Sequence, residues 1–253
     1  MVTRSLNLSE IKNLYGSIKE NLSEDLELVI VVKRRDIDIS GKYVTIVTED
    51  SNRFQARRTG ILASKGNVLL LDADQIPQKA LLEELQHCTY DAMVIPEKSL
   101  NRNFMGRLLD LQRAYFQEMA NPNYDPKFPV VPRFYNGDIV RKTLYKMDDK
   151  IFKYGLSHED SILYYEVYDQ LNDIKVSRNY ILDIDPSFVE YILKSMLYGK
   201  YKRDTVNSAR IPFIYTKLVN EINQEFLRIR SFPILMISLL RAIPYFLGSV
   251  LAS

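Results

Sequence analysis

The chain has almost none of the residues that build disulfide frameworks and thiolate metal sites. Cys88 is the single cysteine among 253 residues, tryptophan is absent, and His87 and His158 are the two histidines. A single cysteine excludes both an intrachain disulfide and a cysteine-based metal site. The two histidines are too far apart in sequence to indicate a metal-binding pair. Neither residue type therefore marks a metal centre.

The chain also lacks a strong charge of either sign. Lys and Arg total 34, Asp and Glu total 32, and the net charge is +2. Across the first 190 positions basic and acidic residues alternate, which argues against a nucleic-acid partner because phosphate-backbone binding needs clustered Lys and Arg. The N-terminus opens without an apolar segment, so no signal peptide is expected and the catalytic part is predicted to stay in the cytoplasm.

Two carboxylates that follow an apolar run are the most informative residues of the chain. The run Val68–Leu71 leads into Asp72 and Asp74, which are separated by Ala73. A short apolar run of this kind is typical of a strand buried on both faces of a parallel sheet. Ligands of such sheets bind beyond the carboxyl ends of the strands, and paired carboxylates there suit Mg²⁺ or Mn²⁺ together with substrate phosphates. The alternative reading is a turn or helix cap.

Short strands alternate with helices in the first part of the sequence. Strands are predicted at 27–32, 43–48, 68–71 and 91–95, and helices at 11–22, 53–64 and 77–87. This alternation predicts an α/β fold with a doubly wound, mostly parallel sheet and helices on both faces. Further helices are predicted at 101–120 and 157–171, the second opening with Ser-His-Glu-Asp, and the first helix is given Asn7 as its N-cap.

The composition changes beyond about residue 190. Residues 194–230 hold eight basic residues and three acids, and Phe232 to Ala252 then carries one charge, Arg241. We therefore predict a main domain over 1–193 and, over 194–253, a basic and then hydrophobic helical tail. An interfacial or re-entrant helical hairpin at an anionic membrane surface explains both runs. A membrane span is less favoured, because the apolar run contains Pro233, Pro244 and Arg241, whose charge is costly in hydrocarbon. The alternative is a hydrophobic helix that packs on the domain or on a second copy, as in a homodimer.

Several motifs, taken in order, resemble family 2 glycosyltransferases of GT-A fold. They are Gln55-Ala-Arg-Arg-Thr-Gly-Ile61, Lys65-Gly66, the strand that ends in Asp72-Ala-Asp74, Pro132-Arg-Phe-Tyr135, His158-Glu-Asp160 followed by Leu163, and Pro186-Ser-Phe with Tyr198-Gly199. The resemblance covers about residues 25–200. It implies an inverting transfer of a sugar from a nucleotide-sugar to an acceptor hydroxyl or phosphate. The tail leads us to expect that the acceptor is a glycan or a lipid-linked group such as a polyprenyl phosphate.

The resemblance also assigns roles to residues. Asp72 and Asp74 would hold the nucleotide diphosphate with Mg²⁺ or Mn²⁺, Asp74 being the stronger metal candidate, and Arg57 matches the family's arginine. Asp160 would be the general base that deprotonates the acceptor, with Glu159 beside it. For these two acids the alternative is charge compensation in a helix first turn. Lys33, with Arg34 and Arg35, either binds donor anions or forms a solvated basic turn.

The chain departs from the family pattern in four places. The first strand is missing or very short, which suggests a truncated start. Lys33-Arg-Arg-Asp36 stands where the family usually has an acidic segment that reads the nucleotide base. A family histidine, a metal-ligand candidate, is replaced by Asp183 or Asp185. The tryptophan motif of processive synthases is absent, so single-sugar addition is expected.

Two alternative functions remain at this point. A phosphatase of the haloacid dehalogenase type also places D-x-D after a buried strand, although it does so near the start of its fold and follows the motif with threonine. A degenerate, inactive glycosyltransferase-like partner protein at a membrane would explain the altered Lys33 segment. The intact Asp72, Asp74, Glu159 and Asp160 oppose the second reading.

Overall fold

A computed structural model describes residues 1–4, 8–33, 38–101, 103–120, 125–126, 130–155, 158–207, 212, 214–215, 217–218, 220–221 and 232–251. Asn7, Arg34 and Arg35, which the sequence analysis singled out, lie outside these residues. The structure divides into two compact units, one comprising 1–98, 132–147 and 166–183, the other 99–131, 148–165 and 184–253.

The first unit is built on a seven-stranded sheet of order β3-β2-β1-β4-β8-β6-β9. The strands are β1 (Val2–Arg4), β2 (Leu28–Val32), β3 (Val44–Thr48), β4 (Val68–Asp72), β6 (Ala92–Val94), β8 (Phe134–Tyr135) and β9 (Ile174–Val176). All neighbouring pairs are parallel except those of β8, which runs antiparallel to both β4 and β6. The mostly parallel sheet predicted from the sequence is confirmed.

A small second sheet lies at the end of β4. It has the order β5-β10-β7, formed by β5 (Gln75–Pro77), β10 (Ile181–Asp183) and β7 (Glu97–Ser99). The helix predicted from residue 77 therefore begins later, as α3 (Lys79–Gln86), because residues 75–77 pair with β10 instead.

Helices cover both faces of the large sheet, as expected. On one face α1 (Leu8–Ile18), continued by a 3-10 turn at Lys19–Asn21, and α3 bury leucine and isoleucine side chains in a cluster with alternate residues of β2, β4 and β6. The helix α2 (Arg53–Ala63) packs against β1 and β2 on the other side, and α5 (Gly137–Lys146) lies beside it. A capping box between Asn52 and Gln55 fixes the start of α2.

The second unit contains mainly helices. They are α4 (Phe104–Ala120), α6 (Asp149–Tyr154), the start of α7 (Glu159–Tyr168), α8 (Phe188–Asn207) and, as we number it, α9 (Phe232–Leu251). The predicted domain boundary at 193–194 falls inside α8, which runs through it without interruption. Within the described part of the chain, no helix combines the length and the apolar character that a membrane crossing requires.

The helices α8 and α9 form a closely packed antiparallel pair. A Cβ at Gly199 would overlap the carbonyl oxygen of Tyr245, and one at Gly248 would overlap that of Met196. Glycine at both positions lets the two backbones approach more closely than any side chain would allow. The helical tail predicted from the sequence is thus present and joined to the second unit.

Candidate active site

The end of β4 is where the sequence placed the donor site. Val68 to Leu71 are all buried, between β1 and β8, so the strand delivers Asp72 to the carboxyl edge of the sheet. A turn at Ala73 and Asp74 follows, and the chain then enters β5. Both aspartates therefore stand at the sheet edge where ligands of such folds bind.

Three arginines converge on the carboxylate of Asp72. Arg53 and Arg57, one turn apart on α2, donate hydrogen bonds of 2.6 and 2.9 Å to its Oδ1. Arg133, next to β8, places a guanidinium nitrogen 3.6 Å from Oδ2. The Arg57 side chain is 6% exposed and that of Asp72 is 24% exposed, so the group is largely shielded from water.

The charges of these arginines decide the protonation state of Asp72. Burial alone would raise the pKa of this carboxyl, but Arg53, Arg57 and Arg133 outweigh burial and hold the pKa well below its usual range. Asp72 is therefore an anion at every physiological pH. Its two oxygens face guanidinium groups, so it is better suited to fixing arginines than to binding a metal ion.

A second carboxylate extends this group of side chains. Glu97 on β7 accepts hydrogen bonds from Arg133, at 2.9 Å from Nε and 2.6 Å from a terminal nitrogen. Gln75 connects the carboxylate of Glu97 to the backbone of Asp72, because its amide nitrogen donates to Glu97 over 3.2 Å while its amide oxygen accepts from the backbone N–H of Asp72 over 2.9 Å. Burial would lower the pKa of Arg133, but Glu97 and Asp72 raise it. Arg133 therefore stays charged.

The β5–β10 pairing brings Asp183 close to Asp74. Asp183 pairs with Gln75 in the antiparallel register, and Gln75 is the residue that directly follows Asp74. By contrast, the side chain of Asp185 is 1% exposed and ion-paired with Arg113. Of the two aspartates considered as substitutes for the family histidine, Asp183 thus remains the candidate.

The residues at this edge fit Mg²⁺ or Mn²⁺ bound together with substrate phosphates. Among the residues that the structure describes, no three His, Cys, Asp or Glu side chains form a preformed metal cluster. Mg²⁺ and Mn²⁺ at nucleotide sites need less, since one or two carboxylates and substrate phosphates suffice. Asp74 and Asp183 supply hard oxygen donors of that kind. We take them, ahead of Asp72, as the residues that would hold the ion.

The predicted acceptor-side acids lie at the start of α7 in the second unit. Glu159 and Asp160 are its first two residues, with Glu159 buried and Asp160 partly buried. His158, just before them, has a positive φ of 59°. Such a conformation is uncommon for a residue with a side chain and persists where surrounding structure enforces it. The two acids are thus held at a constrained helix start.

His158 is kept neutral by its surroundings. Burial of the imidazole, reinforced by the nearby charges of Arg241 and Lys202 and opposed by Glu159, lowers the pKa of His158 to about 4. A neutral imidazole beside Glu159 and Asp160 adds no positive charge of its own at neutral pH.

The remaining predicted residue, Lys33, follows β2. Its ammonium pairs with Asp50 at 2.7 Å, and the side chain is 45% exposed. The ion pair with Asp50 is compatible with a solvated turn and with an anion-binding site.

The sequence analysis missed Arg53, Gln75, Glu97 and a role for Arg133. The available signals were that Arg53 precedes Arg57 by one helical turn and that Arg133 belongs to the motif Pro132–Tyr135.

Comparisons with known proteins identify the fold. No protein-family profile matches the chain, and no curated protein sequence matches it. Residues 1–349 of TarS from S. aureus align with 98% of this chain and 80% of their own length, at 14% identity and a TM-score of 0.55. The mannosyltransferase PcManGT from Pyrobaculum calidifontis, in complex with GDP-Man and Mn²⁺, aligns over 98% of this chain and 81% of its own, at 11% identity and a TM-score of 0.52. The resemblance stated from the sequence is thereby confirmed at the level of the fold, and the chain has the GT-A-type α/β fold of these proteins.

Proposed function

We propose that the protein is a metal-dependent, inverting glycosyltransferase that moves one sugar from a nucleotide-sugar to an acceptor. The observation that carries the proposal is the arrangement at the end of β4. There, Asp72 fixes Arg53, Arg57 and Arg133, and Asp74 follows in the turn. The fold shared with a mannosyltransferase bound to GDP-Man and Mn²⁺ supports a nucleotide-sugar donor and a divalent cation.

On the donor side, Asp74 and Asp183 would hold Mg²⁺ or Mn²⁺, which when bound neutralises negative charge that grows on the leaving diphosphate. Arg53 is the most accessible of the three arginines, at 35% exposure, and would contact the donor's phosphates. Asp72 positions that guanidinium, and Gln75 holds the backbone of Asp72 in place. Lys33 would add a further cation on the nucleotide side.

On the acceptor side, Asp160 would accept the proton of the acceptor hydroxyl, with Glu159 as the neighbouring acid. General-base catalysis of this kind contributes about 10² to 10⁴ in rate. The missing processive motif leads us to expect one sugar per binding event. The acceptor would be a glycan or a lipid-linked group such as a polyprenyl phosphate.

The tail is proposed to keep the enzyme at the cytoplasmic face of a membrane, where a lipid-linked acceptor would be available. Its basic run and its apolar helix are the supporting features. A homodimer through the tail is the competing use of the same surface.

An inactive partner protein is the second candidate function. The observation that favours it is the full engagement of Asp72 by arginines, which withdraws one of the two D-x-D carboxylates from direct metal binding. Such a protein would keep the fold but would not bind a nucleotide-sugar in a cation-dependent way.

A stabilisation screen separates these candidates. Nucleotide-sugars are added with and without Mg²⁺ or Mn²⁺, and the shift in thermal midpoint is measured for the wild type, for Asp74→Ala and for the control Asp138→Ala. Asp138 is chosen because its side chain is 98% exposed. We expect cation-dependent stabilisation by at least one nucleotide-sugar, lost in Asp74→Ala and kept in the control. No stabilisation by any donor, or an unchanged response in Asp74→Ala, would contradict the proposal.

A further inference from the structure

The outer side of α9 is apolar and exposed. Residues that recur every three or four positions along the helix are between 36% and 64% exposed: Leu235, Met236, Leu239, Ile243, Phe246, Leu247 and Val250. The opposite side is packed, since Ile237 joins a buried cluster with α4 residues and Ser238 accepts a hydrogen bond of 3.2 Å from Gln112. The exposed residues therefore form a stripe that the second unit leaves uncovered.

A second stripe lies on α8. Val189, Leu193 and Leu197 repeat every fourth residue and are 65%, 59% and 47% exposed. Because a Cβ at Gly199 would meet Tyr245 and one at Gly248 would meet Met196, the helices run antiparallel. In this register Leu197 and Leu193 lie level with the last turn of α9, and Val189 lies beyond its end. We call the two stripes together the α8–α9 face. Exposed apolar surface of this extent marks a contact site.

The only charge of α9 points away from this face. Arg241 is half-buried and lies one helical turn after Ile237 and two before Gly248, on the packed side. Burial raises the pKa of Tyr191 and lowers the pKa of His158; the charge of Arg241 opposes the first shift and adds to the second, so Arg241 lies near both residues inside the unit. The charge of Arg241 is thus kept from the outer side of α9.

The charges around the face are mainly basic. Lys200 continues the α8 stripe, three residues after Leu197, and Lys194 lies beside it; both are exposed. Among the residues of α8 whose exposure the structure describes, the exposed acid is Glu190, whose carboxylate accepts a hydrogen bond of 2.8 Å from the backbone N–H of Ser187. Glu190 thus caps the helix start. Lysines beside an apolar stripe suit an anionic lipid surface, where the side chains reach the headgroups.

We propose that the α8–α9 face lies on an anionic bilayer, with both helices in the plane of the interface and their apolar stripes among the upper acyl chains. The proposal rests on the membrane association proposed above and refines it: the contact includes Val189 and Leu193, which precede the tail, and excludes Arg241. A second copy fits less well, because a self-complementary contact would place Lys194 and Lys200 of both copies, four positive charges, in one interface.

The test uses the full chain and point variants, since deletion of α9 would uncover Ile237 and the cluster that surrounds it. Leu193→Asp on α8 and Phe246→Asp on α9 place a carboxylate in each stripe. The matched control is Tyr145→Asp, because Tyr145 is 70% exposed on α5 in the first unit. Thermal unfolding confirms that each variant is folded, and donor stabilisation is measured separately from lipid binding.

Sedimentation is measured with vesicles of phosphatidylcholine, with and without phosphatidylglycerol. We expect the wild type and Tyr145→Asp to bind the anionic vesicles, and each stripe variant to partition about tenfold less. Lys194→Gln with Lys200→Gln should weaken binding to anionic vesicles alone.

Three results would overturn the proposal. They are a wild type that stays in the supernatant, stripe variants that bind like the control, and a wild-type dimer in sedimentation equilibrium that Leu193→Asp dissociates. None of these depends on donor binding, so failure of the membrane proposal and failure of the proposed function are distinguishable.

Discussion

The guanidinium of Arg57 and the carboxylate of Asp72 form a shielded ion pair, with a hydrogen bond of 2.9 Å to Oδ1. The same oxygen accepts from Arg53, so one carboxylate orients two arginines of α2. Asp74 lies in the turn that follows, so we expect the two aspartates of the D-x-D motif to have different roles. Asp72 orients positive charge, and Asp74 is the residue that we propose to hold the cation.

Asp72→Asn is expected to destabilise the protein by about 3 kcal/mol, because it leaves shielded guanidinium charge without its counter-ion. Urea unfolding gives the value. Asp138→Asn, which breaks the pair between a fully exposed carboxylate and Arg141, is the control and should cost less than about 1 kcal/mol. Equal effects of the two substitutions would show that the arginine group does not depend on Asp72.

Asp160→Asn is expected to keep donor affinity and to lose about 10² to 10⁴ in transfer rate, because the amide is nearly isosteric but does not accept the proton. Asp169→Asn serves as the control, since Asp169 is exposed just beyond the end of α7. Donor titration and single-turnover transfer are both measured. Normal transfer by Asp160→Asn would move the base elsewhere, with Glu159 tested next.

His158 should make stability depend on pH. Its pKa is lowered to about 4 in the folded protein, against 6.5 as its ordinary value, so the unfolded chain binds the extra proton first as pH falls. The stability that neutral His158 contributes to the folded protein is fully present above about pH 6.5 and is lost as the pH falls toward 4. In His158→Asn, which tolerates a positive φ, the thermal midpoint should fall less between pH 7 and pH 5. His87→Asn, at an exposed position after α3, should behave as wild type.

Gly199→Ala is expected to cost several kcal/mol, because the new methyl group would overlap the backbone of α9 at Tyr245. Gly16→Ala is the matched control: Gly16 lies in α1 with nothing within 4 Å of the added Cβ, so alanine should stabilise the helix by about 0.5 to 1 kcal/mol. Thermal unfolding distinguishes them. Opposite signs are expected, and a neutral Gly199→Ala would mean that α8 and α9 are not closely packed.

The sequence predicted the longer elements and the position of Asp72 and Asp74 because these depend on local patterns. The apolar run of β4 is an example. The short strands β8 and β5 show no period in the sequence and were missed. Their pairing depends on neighbours far away in the chain.

The arginine group was missed for the same physical reason. Arg57 was found through its motif. Arg133 reaches Asp72 only because β8 pairs with β4, and Glu97 contacts Arg133 only because of the small sheet.

The sequence predicted a missing or very short first strand, and the strand found there is very short. The three residues of β1 lie between β2 and β4 in the sheet.

The position of β8 has a consequence for how the chain folds. β4 and β6 are near in sequence but are not neighbours in the sheet; the two residues Phe134 and Tyr135 join them. Until the chain as far as residue 135 has been synthesised and has docked, β4 and β6 each present an unpaired edge. Non-local pairing of this kind slows folding and leaves intermediates prone to edge-to-edge association. During synthesis on the ribosome, the nascent chain would therefore need its greatest protection before β8 emerges.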